Sequence, residues 1–174
     1  MSRKRQRFIY VQHRRVCLLL LALVAVFAAA GVTGAAASPP ISASGTFTTT
    51  SSTFSSVRFD GGNLILAESG IVSYTGTFSG TSTFHGILVI HADGSANFHD
   101  VETFTGTVNG VSGTVRLNLN GRNDSTRAVQ ATDTIISATG ALAGLDGVLS
   151  EVGTVTGPPG PLGTYTGQIQ SGSA

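Results

Sequence analysis

Apolar and polar residues alternate through most of the chain beyond residue 44, most cleanly between Phe98 and Leu119. Phe98, Asp100, Glu102, Phe104 and Gly106 fall on one side, against His99, Val101, Thr103 and Thr105. After Asn109-Gly110 the run resumes with Val111, Gly113, Val115, Leu117 and Leu119 against Ser112, Thr114, Arg116, Asn118 and Asn120. A period of two marks a strand with one buried face. Asn-Gly between two such runs marks a tight hairpin.

The same pattern predicts further strands on both sides. Gly45 to Phe59 alternates weakly, and Phe54 is out of phase with Phe47 and Phe59, so a bulge or two short strands is expected. Asp60-Gly61-Gly62-Asn63 reads as a turn. A region from Leu64 to Phe78 follows, with Val72, Tyr74, Gly76 and Phe78 on one face and Ser79 to Ser82 as the connection. Thr83 to Ala92 is the most apolar run, and Asp93-Gly94 predicts a second tight hairpin turn. Gly121 to Ser125 reads as a turn and Thr126 to Ala138 as a strand. Gly140 to Gly147 is a glycine-punctuated corner, with at most one helical turn over Ala141 to Leu145. Val148 to Val155 and Gly163 to Gln170 complete the set, separated by a proline-rich loop from Gly157 to Pro161. Seven to nine strands on short turns would leave two open edges as a flat sheet. Closure into one glycine-kinked antiparallel β-barrel of about eight strands removes them; a two-sheet β-sandwich is the alternative.

The first 37 residues read differently. Arg3, Lys4, Arg5, Arg7, Arg14 and Arg15 precede an unbroken apolar run from Val16 to Ala30, and small residues continue to Ala37. This is the pattern of a signal peptide cleaved after Ala35-Ala36-Ala37. The apolar run is shorter than the ~20 residues of a spanning helix; retention as an N-terminal anchor is the other outcome, and the only membrane association the sequence suggests. The expected organisation is a signal at 1–37, an exposed leader at 38–44 and a barrel at 45–170. The product is placed outside the cell or in the cell envelope.

Removing the signal inverts the charge. The whole chain has ten basic and nine acidic residues; the remainder keeps Arg58, Arg116, Arg122 and Arg127 against all nine acids, a net −5. No basic stripe remains for nucleic acid. Cys17, the single cysteine, goes with the signal, so the domain depends on its own core without a disulfide.

The run D-G-S-A-N-F-H-D-V-E-T-F-T-G-T-V-N-G-V-S-G-T-V at 93–115 resembles the central signature of the DUF3224 proteins, a bacterial family of unknown function. S-A-T-G-A-L-A-G-L-D-G at 137–147 and G-T-Y-T-G at 163–167 resemble its C-terminal half, and the resemblance covers 43–170. It implies kinship with the allene oxide cyclase and dirigent-like barrels, which have eight antiparallel strands. It also implies that Glu102 matches a recurrent glutamate of the family. It brings no established reaction.

Candidate chemistry is sparse. Glu102 shares its face with Phe98 and Phe104, where burial would raise a carboxyl pKa into acid–base range. Asp133, on the face of Val129 and Ile135, is a second interior acid. Tyr74 and Tyr165, beside strand glycines, are candidates to orient a ligand through their hydroxyls, with Phe98 and Phe104 as apolar contacts. His85, His91 and His99 fall on the opposite face and lack metal-site spacing, so no metal and no cofactor is expected. No serine lies in a nucleophile elbow. The leading expectation is therefore an exported barrel that binds a small hydrophobic molecule. An isomerase or cyclase using Glu102 and a packed structural barrel are the alternatives, and a homo-oligomer is compatible with each.

Overall fold

The structure, a computed structural model, describes residues 38–171; the expected signal at 1–37 lies outside the described residues. Eight strands follow one another: β1 (Ile41–Asp60), β2 (Asn63–Gly76), β3 (Phe78–Ile90), β4 (Ala96–Val108), β5 (Val111–Asn123), β6 (Ala128–Gly140), β7 (Leu145–Val155) and β8 (Pro161–Ser171). Each pairs antiparallel with its neighbours in sequence. β1 closes on β8 from Ile41↔Ile169 to Thr48↔Leu162, so the sheet is a closed barrel and not a sandwich.

Alternation places the side chains as the pattern requires. In β5, Val115, Leu117 and Leu119 are buried while Arg116 and Asn120 are exposed. Asn109 and Gly110 have φ of 50° and 80°, and Val108 pairs with Val111 across this two-residue turn. Those left-handed values match the strand twist, which makes Asn-Gly suitable there.

Several boundaries differ from the expected ones. β1 begins at Ile41, inside the expected leader, and Ala43 is buried, because the first strand supplies the edge that closes on β8. β1 is one strand of 20 residues with register shifts at Thr49/Ser51 and Ser55/Arg58, which account for the misplaced phase of Phe54. Ser79 to Ser82 is not a connection but part of β3; the chain turns at Gly76 (φ 99°) and Thr77. Asp93-Gly94 lies in a longer loop rather than a two-residue turn. His91 N–H donates to Ser95 O, and the Asp93 carboxylate accepts from Ser95 N–H and Oγ–H. Gly121 remains in the β5 ladder opposite Ala131, and the reversal comes at Asp124 to Arg127.

The two ends of the barrel differ. The end carrying the β2–β3, β4–β5 and β6–β7 connections is closed by Phe78, Val108, Leu142, Leu145 and Ile169. Phe78 of this plug meets Phe104 and Tyr165 edge to face, and Tyr74 meets the same two rings, with centroids 5.3–6.1 Å apart. The other end is open.

Candidate functional site

The open end leads into a cavity of about 430 Å³, within the range of small-molecule pockets. Phe47, Val72, Phe84, Leu88, Phe98 and Leu119 form much of its wall. The β3–β4 loop, the β5–β6 turn with Arg127, and the β7–β8 loop from Gly157 to Pro161 surround the mouth. Glu68 and Tyr74 of β2, Asp100 and Glu102 of β4 and Glu151 of β7 reach the same space.

The two acids of β4 follow from its alternation: Asp100, Glu102 and Phe104 are all buried, whereas His99 and Thr103 are exposed and Val101 is only partly covered. The sequence therefore assigns the face of Glu102 correctly. Tyr74 is buried too, and its hydroxyl stands 3.1 Å from Glu102 Oε2 and 3.2 Å from Glu151 Oε1. A phenol has one proton, so it donates to only one of them at a time. The second contact becomes a hydrogen bond when that carboxyl is protonated and donates to the phenol oxygen.

Asp133 of β6 is wholly buried behind the wall, beside Glu151, and neither of its oxygens meets a protein donor. A proton held between Asp133 and Glu151 gives Asp133 a partner; were both ionised, they would repel and Asp133 would have none. Ser82 Oγ lies near Glu102 outside hydrogen-bond geometry, yet close enough to favour its ionised form slightly.

Burial dominates the acidity of the group. It pushes Glu68 up to about 7. It pushes Asp100 up to about 8, helped by the charges of Glu68 and Glu102. Glu151 is pushed up to about 8 by burial and then by the charge of Glu102. Glu102 is raised by burial, and Asp133 well above the carboxylate range by burial and by Glu151 and Glu102. Tyr74 is raised in turn, first by burial and then by these acids. All four arginines among the described residues are exposed, so no buried cation offsets the cluster. Near neutral pH Glu68, Asp100 and Glu151 sit between their acid and base forms, as proton donors and acceptors require.

Of the residues expected to bind a ligand, Tyr74 and Phe98 are on the cavity wall. Phe104 and Tyr165 lie deeper, in the aromatic layer that fills the barrel below the cavity, and Asp133 lies behind the cavity wall. The Tyr165 hydroxyl is committed to the backbone: it accepts from Phe78 N–H at 2.8 Å and donates to Thr75 O at 3.0 Å. Glu68 and Glu151 are absent from the candidates the sequence suggests, although a signal is present. Glu68 has the parity of Val72 and Tyr74, and Glu151 that of Leu145 and Leu149. The three histidines of the domain are exterior or at the rim; His91 lies between Asn63 and Asn97, and His99 bonds Asn120. Among the described residues no group of three metal-ligating side chains is gathered.

No curated protein matches the chain. A crystal structure of a protein with unknown function from the DUF3224 family, from Shewanella oneidensis MR-1, superposes with a TM-score of 0.61 at 18% identity, over 75% of this chain and 97% of that one. At that identity the likeness speaks for the fold. Residues 43–156 match the family described as "Protein of unknown function (DUF3224)", most of the barrel from the first strand to the end of the seventh; the chain belongs to the DUF3224 family.

Proposed function

We propose that this barrel is an exported carrier or receptor for a small, mainly apolar molecule held in the cavity. The carrying observation is the cavity itself: about 430 Å³ of space walled by phenylalanine and aliphatic side chains, in a barrel whose other half is packed solid. A barrel with a purely structural role gains stability by filling such a space, since atoms that line a void have no packing partner on that side. The interior acids then anchor the polar part of the ligand, and the strand glycines let the sheet bend into closure.

A second reading, catalysis of an allene oxide cyclase-like isomerisation or cyclisation, draws support from Tyr74 standing between Glu102 and Glu151. A proton can pass among these three groups without leaving the site, and an apolar cavity can hold a reactive substrate in one conformation.

The binding reading is tested with N-phenyl-1-naphthylamine, a neutral apolar dye that fluoresces on leaving water. Saturable enhancement at one site is expected. Leu88→Trp, which fills the cavity, and Ser52→Trp, which obstructs it near β1, should each weaken binding by about tenfold or more, with circular dichroism unchanged. Absence of saturable binding to the unaltered protein would overturn the reading.

A further inference from the structure

The charge balance of the cavity narrows what it holds. Five carboxyl groups converge on or just behind its wall from four strands around the barrel: Glu68 on β2, Asp100 and Glu102 on β4, Asp133 on β6 and Glu151 on β7. Asp100 is 4% exposed, and its Oδ1 has no donor in the protein; both oxygens of Asp133 lack one as well. An apolar neutral ligand would cover these groups and leave them unpartnered, and an anion would be repelled. A cation supplies what the interior lacks, positive charge and N–H donors.

The register of the sheet gives that cation a position. Glu68 pairs with Gly86, and Gly86 pairs with Asp100, so the acids of β2 and β4 flank one residue of β3 that has no side chain. A methyl group added at Gly86 would strike the Asp100 carboxylate and the backbone of β4. The absence of that methyl lets Asp100 settle over β3 beside Glu68, and their proximity is felt in the raised Asp100 pKa. Phe84, Phe98 and Tyr74 stand on the same cavity wall. Aromatic faces attract ammonium groups, most strongly where water is excluded.

We propose that the ligand is an organic cation, a primary amine or quaternary ammonium on an apolar body, with its charged end between Glu68 and Asp100 and its body among the phenylalanines. This rests on the binding reading above. Protonation keeps the acids tolerable in the interior when no cation is bound, so entry of a cation favours the ionised acids and drives protons off. The other ionisable groups facing the site do not offset this. Glu102 and Glu151 share Tyr74, Tyr165 is bonded to the backbone, and Arg127 stands exposed at the mouth, where solvent screens its charge.

The test is calorimetric titration of the full chain with three probes of one shape: 4-phenylbutylamine, 4-phenylbutan-1-ol and 4-phenylbutyrate. Each is measured at about pH 7.5 in two buffers of different ionisation enthalpy, where acids raised to about 7–8 are partly protonated. The amine should bind about tenfold or more tighter than the alcohol, with net proton release. The alcohol should release none, and the carboxylate should bind weakest. The double variant Glu68→Gln, Asp100→Asn keeps the shape of both side chains; it should lose the amine preference and hold the alcohol within about threefold of the original. Alcohol affinity equal to that of the amine, tighter carboxylate binding, or amine binding without proton release overturns the cation and leaves the binding reading standing. Binding of none of the three, together with no dye binding, removes both. Should the double variant fail to fold, the three-probe comparison on the unaltered protein decides alone.

Discussion

Toward the end that carries the β4–β5 turn, the barrel interior is filled by Tyr74, Phe78, Phe104 and Tyr165 packed edge to face. Toward the other end, the same eight strands enclose about 430 Å³ edged by four carboxyl groups, with a fifth, Asp133, behind the wall. β4 contributes to both: Phe104 is wholly buried, and Glu102 and Asp100, two and four residues earlier, belong to the acid cluster. The inward face of a strand is therefore not one environment. Parity decides which residues turn inward, and height along the barrel decides whether they meet a packed layer or a cavity.

This contrast is breakable by mutation, and the packed half should respond most. Phe104→Ala should destabilise the fold by about 3–5 kcal/mol in chemical denaturation, since it empties the centre of the aromatic layer. A loss below about 1 kcal/mol would mean that this half is also loosely filled.

The cavity half should show itself through pH. Glu68, Asp100 and Glu151 hold protons more tightly when folded, with pKa values of about 7, 8 and 8, than an unfolded carboxyl does. Their contribution is complete below the ordinary carboxyl range and is lost as pH rises through the folded values. The melting temperature should fall by roughly 5–10 °C between about pH 5 and 8.5. Asp93 and Asp124 work in the opposite sense at lower pH, because their carboxylates accept hydrogen bonds in the β3–β4 and β5–β6 loops. Asp133→Asn removes one acid from the cluster and should flatten the fall; an unchanged slope would separate Asp133 from the titration.

Smaller effects sharpen the boundary between the halves. Tyr165→Phe keeps the ring but strips Phe78 N–H of its acceptor, for a loss of about 1–3 kcal/mol. Phe98→Ala, at a half-buried position on the cavity wall, should cost only about 1 kcal/mol while weakening dye binding. A larger loss than for Phe104→Ala would reverse the assignment of the two regions.

Much of the fold is legible along the chain. Asn109-Gly110 identifies its hairpin, and the parity of Phe98, Glu102 and Phe104 places an acid inside. The departures share a cause. Ser79 to Ser82 has the composition of a turn, yet Gly80 pairs with Gly106, and side chains there would collide with the neighbouring strand and with the Phe104 ring. Here glycine serves close approach between strands, which composition alone does not distinguish from a turn. The expected leader is likewise part of a strand: Ile41 to Ser44 carries little apolar surface, although its backbone completes the β1–β8 ladder.

The sequence by itself determined the strands, the turn at Asn109-Gly110 and the inward face of Glu102 and Asp133, because alternation is a local property repeated every two residues. Only the tertiary structure decided which acids meet. Tyr74 lies 28 residues from Glu102 and 77 from Glu151, and the hydroxyl reaches both because the sheet closes and carries β2, β4 and β7 around one interior. Closure and stagger set those distances, and no local pattern of residues encodes them.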